Sequence, residues 1–149
     1  MKNVFQPDAL QEVNQRINKL QPNSQRQWGK MDVAQMFAHC SAALEVAAGK
    51  KFPPRIFIGR ILAPFFRSVF SNDKPFKQNM PTDNSFLIID QRNFEREKAR
   101  LIDLVTQFST GGKVKCTTHP HPCFGKLTPN EWGTGMYKHL DHHLRQFGV

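Results

Sequence analysis

The last 22 residues of the chain constrain its fold more than any other segment. They begin with Thr128, Pro129 and Glu131, a start signal in which the threonine caps a helix and the glutamate completes a capping box. On a helical wheel of about 100° per residue, apolar side chains fill one arc, which also contains His139 and His143, one turn apart. Two imidazoles on a core-facing stripe need hydrogen-bond partners or a metal ion, which the rest of the chain must supply.

The same wheel sorts the other side chains of this predicted helix. Its core-facing arc contains, in order around the axis, Gln146, His139, Trp132, His143, Met136, Phe147, Leu140 and Leu144. The charged residues Lys138, Asp141 and Arg145 fall on the opposite face. His142 lies to one side of the stripe, so we expect it near a pocket rather than among the residues that bind a metal directly. We expect Trp132 to line the same pocket.

Three earlier segments also have helical periodicity and recognisable ends. The first helix is predicted over Pro7–Leu20. The second opens at Asp32, with Gln35 at the capping-box position, and closes at Gly49. The third runs from residue 90 or 91 to residue 108. Four amphipathic helices with a long connection between the second and third predict an all-α fold, a four-helix bundle with a crossover.

The connection at residues 50–85 is the least regular part of the chain. Its apolar stretches are interrupted by arginines and prolines, which predicts one or two short helices broken near Pro64. Lys50–Lys77 holds seven basic residues against a single acid, Asp73. A basic helix at a membrane surface is one interpretation. Because Pro64 interrupts any long amphipathic helix, we favour a crossover that packs on the bundle with its arginines directed outward.

Composition narrows the class of protein. A chain of 149 residues, 39% hydrophobic and 22% charged, is typical of one globular domain, here residues 1–149. The net charge of +9 suits nucleic acid or an anionic membrane, but no nucleic-acid reading element is recognisable, so we expect neither partner. Three cysteines without a CxxC pair favour a reducing cytoplasm, and the amphipathic first twenty residues do not resemble a secretory signal.

His139 and His143 are either ordinary helix residues with buried partners or metal ligands. Zinc, nickel, iron and copper all accept imidazole, and three protein ligands with an open position describe a catalytic site. The best third ligand is His39, which is the only histidine on the three earlier helices. Gln146, one turn beyond His143, is placed to orient a ligand or contact substrate. Leu140 follows His139, so the glutamate base of an HExxH motif is absent.

A second constellation, CTTHPHPC at residues 116–123, precedes the last helix. Two cysteines and two histidines suggest a structural zinc site, but they are crowded and the prolines force an extended path. We therefore expect no zinc there. His121 is expected instead at the opening of a pocket. No general base can be assigned from sequence, and His121 and His142 are the first candidates to test.

Three stretches of the chain resemble the DinB/YfiT-like superfamily, in a bacterial branch of unassigned function. They are WGKMDVAQMFAH at residues 28–39, the HPCFG and LTP motifs within residues 121–129, and YKHLDHHLRQF at residues 137–147. The resemblance implies a four-helix bundle with a divalent metal held by His39, His139 and His143. Relatives in that superfamily include thiol-dependent transferases and isomerases that use mycothiol or bacillithiol, and dimers are common among them.

These observations lead us to expect a cytoplasmic, metal-dependent enzyme of transferase or hydrolase type that acts on a small molecule. We expect the divalent ion to be zinc or nickel, with iron as the next candidate. Three neutral imidazoles leave such an ion its full charge, which lowers the pKa of a bound water or thiol. Nothing in the sequence identifies a thiol cofactor. The alternative is a non-catalytic bundle that binds a ligand or partner, with a structural metal or none.

Overall fold

All regular structure in the described residues is helical. The computed structural model describes residues 2–55, 57–72 and 74–149, and at 58–60 and 64 it describes the backbone alone. Within these ranges the helices are α1 (Pro7–Lys19), α2 (Val33–Ala47), α3 (Phe57–Ser71), α4 (Phe94–Gly111) and α5 (Pro129–Gln146). Single 3₁₀ turns lie at Asn84–Phe86 and Lys113–Lys115. The prediction of an all-α fold is confirmed.

The predicted capping signals form where the sequence places them. Before α2, the side chain of Asp32 accepts a hydrogen bond from the backbone of Gln35 at 2.8 Å, and the Gln35 side chain accepts from the Asp32 backbone at 3.0 Å. Thr128 and Glu131 form the equivalent box at α5. The third predicted helix, our α4, begins later than expected. Asn93 caps its first turn, so the predicted start at residue 90 or 91 was wrong.

Buried apolar side chains from the helices form one connected core. Helix α2 packs along α4 and also against α5, while α1 contacts both α4 and α5. The largest fully buried side chains are Trp132, Phe37, Ile17, Leu20, Met36, Leu44, Leu101, Met136, Leu140 and Leu144. Each contributes about 1.5–3 kcal/mol by leaving water, which explains why these particular faces turn inward. The packing sets one face of α2 against one face of α5.

Helix α3 continues through Pro64, so the predicted break near that residue was wrong. A proline inside a helix removes a backbone hydrogen bond and costs about 3 kcal/mol or more. The packing of α3 on α5 offsets this cost. The two helices approach closely because α5 has Gly135 at the contact, where a Cβ would overlap the ring of Phe70. Local sequence signals do not include such a long-range contact.

The outer face of α3 is apolar. Phe57, Ile61 and Phe65, spaced by four residues, are 75%, 64% and 66% exposed. We expected the arginines of this segment to be directed outward. Arg67 agrees with this expectation, because its side chain lies partly exposed, in an ion pair with an acid of α5. The same expectation for Arg60 falls on a side chain outside the described part. No helix in the described ranges combines the length and apolarity that crossing a membrane requires.

Two polar contacts fasten α3 to α5. The guanidinium of Arg67 donates to both carboxylate oxygens of Glu131, at 2.5 and 2.7 Å. Lys138 donates to the carbonyl of Val69 at 2.5 Å and to the side-chain oxygen of Asn72 at 3.0 Å, at the C-terminal end of α3. Lys138 is therefore 7% exposed. Its assignment to a face away from the core was wrong, because α3 covers that side of α5.

We expect the substitution Lys138→Met to weaken the attachment of α3. It removes a charged donor from part-buried carbonyl groups, so the free energy of unfolding should fall by about 1.5–3 kcal/mol. Urea unfolding followed by circular dichroism measures this change. The matched control is Lys126→Met, at an exposed position, which should stay within about 0.5 kcal/mol of the wild type. Equal stability of the two variants would contradict the role assigned to Lys138.

Candidate metal centre

The structure brings His39 of α2 together with His139 and His143 of α5. One ligand atom from each ring can be chosen so that all of them lie within 4.8 Å of one another. The Nε2 atoms of His39 and His139 are 3.0 Å apart. Two nitrogens that share an ion at about 2.1 Å each lie roughly 3.0–3.4 Å apart, depending on the angle between them. The spacing therefore fits a shared ion.

The tautomer of His39 is fixed by the backbone. Its Nδ1 lies 2.9 Å from the carbonyl oxygen of Phe86, in the 3₁₀ turn between α3 and α4. A carbonyl oxygen can only accept, so the proton of the neutral ring is on Nδ1. Nε2 then carries a lone pair on the side of His139. This arrangement, in which one ring nitrogen donates to a carbonyl and the other is left to bind, is typical of histidine metal ligands.

His143 is oriented in the same way by a side chain. Its Nδ1 lies 2.9 Å from Oε1 of Gln146, and the amide nitrogen of Gln146 donates to the carbonyl of Trp28 at 2.7 Å. Because the Trp28 carbonyl identifies the amide nitrogen, the other amide atom must be the oxygen, and His143 Nδ1 must donate to it. His143 Nε2 therefore also carries a lone pair.

The tight turn at Gly29 makes the contact of Gln146 with Trp28 possible. Gly29 has φ of +80°, a backbone conformation that residues with a side chain rarely adopt. A Cβ at this position would overlap the amide nitrogen of Gln146. The segment before α2 thus reaches across to α5. It sets the amide of Gln146, and through it the ring of His143.

His139 completes the group without a fixed tautomer. Its Nδ1 is buried and has no hydrogen-bond partner within the described residues. Buried nitrogens of this kind are uncommon, because leaving one unpaired costs about 1–3 kcal/mol. His139 Nε2 must either donate to the lone pair of His39 or share a cation with it. Three imidazoles, two of them with oriented lone pairs, form a donor set that fits a divalent ion.

Burial keeps all three rings neutral. It lowers the pKa of His39, lowers that of His143 to about 3, and lowers that of His139 well below the usual value of a histidine. Repulsion from the neighbouring rings of His143 and His39 lowers the pKa of His139 further. Neutral imidazole is the form that binds metals, so the group can accept a cation at neutral pH without first losing protons.

A cavity of about 710 Å³ opens beside the three histidines. This volume lies within the range of small-molecule sites, and most of the lining side chains are aromatic or aliphatic. All four residues predicted for the pocket line it, namely Gln146, His142, His121 and Trp132. His142 is not part of the three-histidine group, as the wheel indicated. Its ring contacts those of Trp28 and Phe76, with centroids 5.8 Å apart in each case.

His121 has a geometry that argues against its proposed role as a base. Its Nδ1 accepts hydrogen bonds from the backbone N–H groups of Cys123 and Phe124, at 3.1 and 3.3 Å. Burial lowers the pKa of His121 to about 3, although the charge of Asp83 acts in the opposite direction. With one nitrogen engaged and the other protonated, the ring cannot take up a proton near neutral pH. His142 stays as the candidate base.

Sequence reasoning missed the contributions of Phe86 and Phe70. Phe86 orients His39 through its backbone carbonyl, and Phe70 covers Trp132 with its ring in an edge contact, with centroids 6.2 Å apart. The apolar residues after Asn84 signal that the connection returns to the core. No sequence pattern specifies which carbonyl oxygen meets which imidazole, because every residue carries the same group.

The fold and the site define an all-α protein with a three-histidine group, two of its residues buried and one half-buried, that could hold a metal ion. The chain belongs to the DUF1569 family, described as "Protein of unknown function (DUF1569)", whose model matches residues 2–148. No curated protein and no solved structure matches the chain. The family description names no activity, so the chemistry must be argued from the site.

We expect acid to destabilise the chelator-treated protein through its buried histidines. The pKa of His143 is about 3 when folded and about 6.5 when unfolded, so its stabilising effect is complete above pH 6.5 and declines as the pH falls toward 3. Between pH 7 and 5, His143→Leu should lose about 2 kcal/mol less stability than the wild type in urea titrations. The control, His119→Leu, changes an exposed ring. Parallel pH profiles for wild type and His143→Leu would contradict the buried, neutral ring.

Proposed function

We propose that this protein is a metal-dependent enzyme of transferase or hydrolase type, in which His39, His139 and His143 hold a divalent ion. The observation that carries the proposal is the pair of oriented lone pairs on His39 and His143, beside a third imidazole with no fixed partner. When bound, such an ion lowers the pKa of a water or thiol and makes it a nucleophile near neutral pH. Zinc or nickel fits three imidazoles best, followed by iron.

The chain's own residues supply orientation and an apolar environment. The Phe86 carbonyl and the Gln146 amide hold two of the imidazoles in place, which is how outer contacts tune a metal ligand. The cavity wall excludes water from the substrate and strengthens charge interactions inside. His142 lines the cavity next to the group and is the candidate to accept the proton of the nucleophile.

The architecture and setting form part of the proposal. Helices α1, α2, α4 and α5 make a four-helix bundle with α3 in the crossover, as in the DinB/YfiT-like superfamily that the sequence resembles. The substrate is a small molecule that enters the cavity of about 710 Å³. A cytoplasmic homodimer that covers the apolar outer face of α3 agrees with that resemblance, and neither nucleic acid nor a membrane is needed as a partner.

The second candidate is a non-catalytic bundle that binds a small ligand. It is favoured by the mainly apolar lining of the cavity and by the neutral state of His121, which leaves few groups able to move a proton. In that case a metal is structural or absent. The two candidates differ in whether removing the metal abolishes turnover or changes only stability.

We expect one divalent ion per chain in protein purified without a histidine tag. His39→Gln, His139→Gln and His143→Gln should each lose it, because two imidazoles bind far more weakly than three. Gln146→Leu should weaken binding roughly 10- to 100-fold by releasing His143. Inductively coupled plasma mass spectrometry and competition with a chelator measure content and affinity.

The matched control for the metal series is His142→Gln, which changes the residue adjacent to His143 and should keep its metal. Circular dichroism of each variant separates loss of metal from loss of fold. Full metal content in His39→Gln, or equal loss in His142→Gln, would exclude the proposed ligand set.

Turnover distinguishes the enzyme from the binding protein. We expect the metal-loaded protein to hydrolyse p-nitrophenyl acetate or to transfer a small thiol to 1-chloro-2,4-dinitrobenzene, with activity lost on chelation and recovered on adding zinc or nickel. His142→Gln should lower the rate while keeping the metal. A metal-loaded protein that turns over neither probe, yet melts at a lower temperature after chelation, would favour the structural role.

A further inference from the structure

The wall of the cavity that carries His121 presents a fixed hydrogen-bond donor. Backbone N–H groups can only donate, so the two that reach Nδ1 of His121, from Cys123 and Phe124, require a lone pair on that atom. The proton of the neutral ring is therefore on Nε2. No group in the described part of the chain accepts a hydrogen bond from it.

Aromatic rings hold the His121 donor in place. The ring of Phe124 stacks on His121 with centroids 4.2 Å apart, and the ring of Phe86 lies nearly parallel to it, at 9° and 5.9 Å. The imidazole is 8% exposed. The stacking fixes the plane of the ring, and turning the ring over within that plane would break both bonds to Nδ1. The direction of Nε2–H is thus set by the fold before any ligand arrives.

A second donor lies on the same wall. Trp132 is 1% exposed, and its indole N–H is buried with no acceptor among the described residues. Its ring lies 5.7 Å from that of His121, and both residues line the cavity. Buried donors almost always have a partner. Trp132 has such a buried donor without an acceptor, and the Nε2–H of His121 beside it meets no acceptor in the described residues, so the two together call for an acceptor that arrives from outside the chain.

We propose that His121 and Trp132 form a subsite for the carbonyl oxygen of an uncharged, largely apolar substrate. The inference rests on the proposed function, since it places that substrate in the cavity beside the three-histidine group. The carbonyl oxygen has two lone pairs and can accept from both donors. Asp83 lines the same cavity, and its negative charge acts on His121, which disfavours a carboxylate at this wall. The apolar lining accommodates the remainder of the molecule.

The test compares two planar probes of nearly the same shape, acetophenone and α-methylstyrene, in which a methylene group replaces the carbonyl oxygen. Titrations of the isotopically labelled protein, followed by ¹H–¹⁵N NMR, give both dissociation constants. The wild type should bind acetophenone more tightly, by roughly 3- to 10-fold, as one or two hydrogen bonds predict. His121→Phe keeps a stacking ring and removes the donor, so it should lose most of this preference. Trp132→Phe should lose part of it.

The control variant is His119→Phe, at an exposed position outside the cavity lining, which should retain the full preference. Long-range ¹H–¹⁵N correlations on the wild type report the His121 tautomer without any substitution. Equal binding of both probes by the wild type, binding of neither, an unchanged preference in His121→Phe, or a proton on Nδ1 would each overturn the subsite.

Metal content measured on the same samples separates this inference from the proposed function. A preference lost in His121→Phe, with the metal retained, supports both. The same loss in a protein that never contains metal supports the carbonyl subsite and removes the metal role. A preference retained in His121→Phe, with the metal present, removes the subsite and leaves the metal site standing.

Discussion

The structure depends on burying imidazole rings in an apolar core, because each ring has two nitrogens that the core must satisfy. A backbone carbonyl or a side-chain amide can satisfy one nitrogen of a ring, as the Phe86 carbonyl does for His39 and the Gln146 amide for His143. The second nitrogens of three rings then meet each other. An unpaired buried polar group costs about 1–3 kcal/mol, and a domain is stable by only about 5–15 kcal/mol in total. In the three-histidine group the buried nitrogen left without a partner among the described residues is Nδ1 of His139, so this cost falls on the one ring that neither a carbonyl nor an amide orients.

The site is assembled from regular and irregular parts that do different work. Helices α2 and α5 bring the three rings to one place, and their core packing keeps the backbones at a fixed separation. The connections before α2 and before α4 then set the ring planes, through Trp28 and Phe86. A shift of either connection would turn an imidazole without moving its Cα. Substitutions far from the rings, such as one at Gly29, are therefore able to change the site while the helices stay intact.

Local sequence signals were sufficient for the parts of the fold that are themselves local. Helix ends at Asp32 and Thr128 follow from capping chemistry, and the stripe of α5 follows from its period, which put His139 and His143 on one face opposite His39. Two of the errors share one physical origin, which is contact between segments distant in sequence. Lys138 faces α3 rather than water, and α3 passes through Pro64 because α5 supports it. The wheel divides a helix into a core side and a solvent side, whereas α3 also covers the part of the outer side of α5 that carries Lys138.

Residues of one type acquire opposite roles in this cavity through their hydrogen bonds. His39 and His143 donate from Nδ1 and keep a lone pair on Nε2, whereas His121 accepts at Nδ1 and carries its proton on Nε2. The lining of the cavity therefore has two chemically different parts. The three-histidine group offers lone pairs, whereas the wall of His121 and Trp132 offers N–H groups. A substrate with one acceptor oxygen and an otherwise apolar body would bind in a single orientation. The tautomers, which no residue count or spacing encodes, are what would give such a site its selectivity.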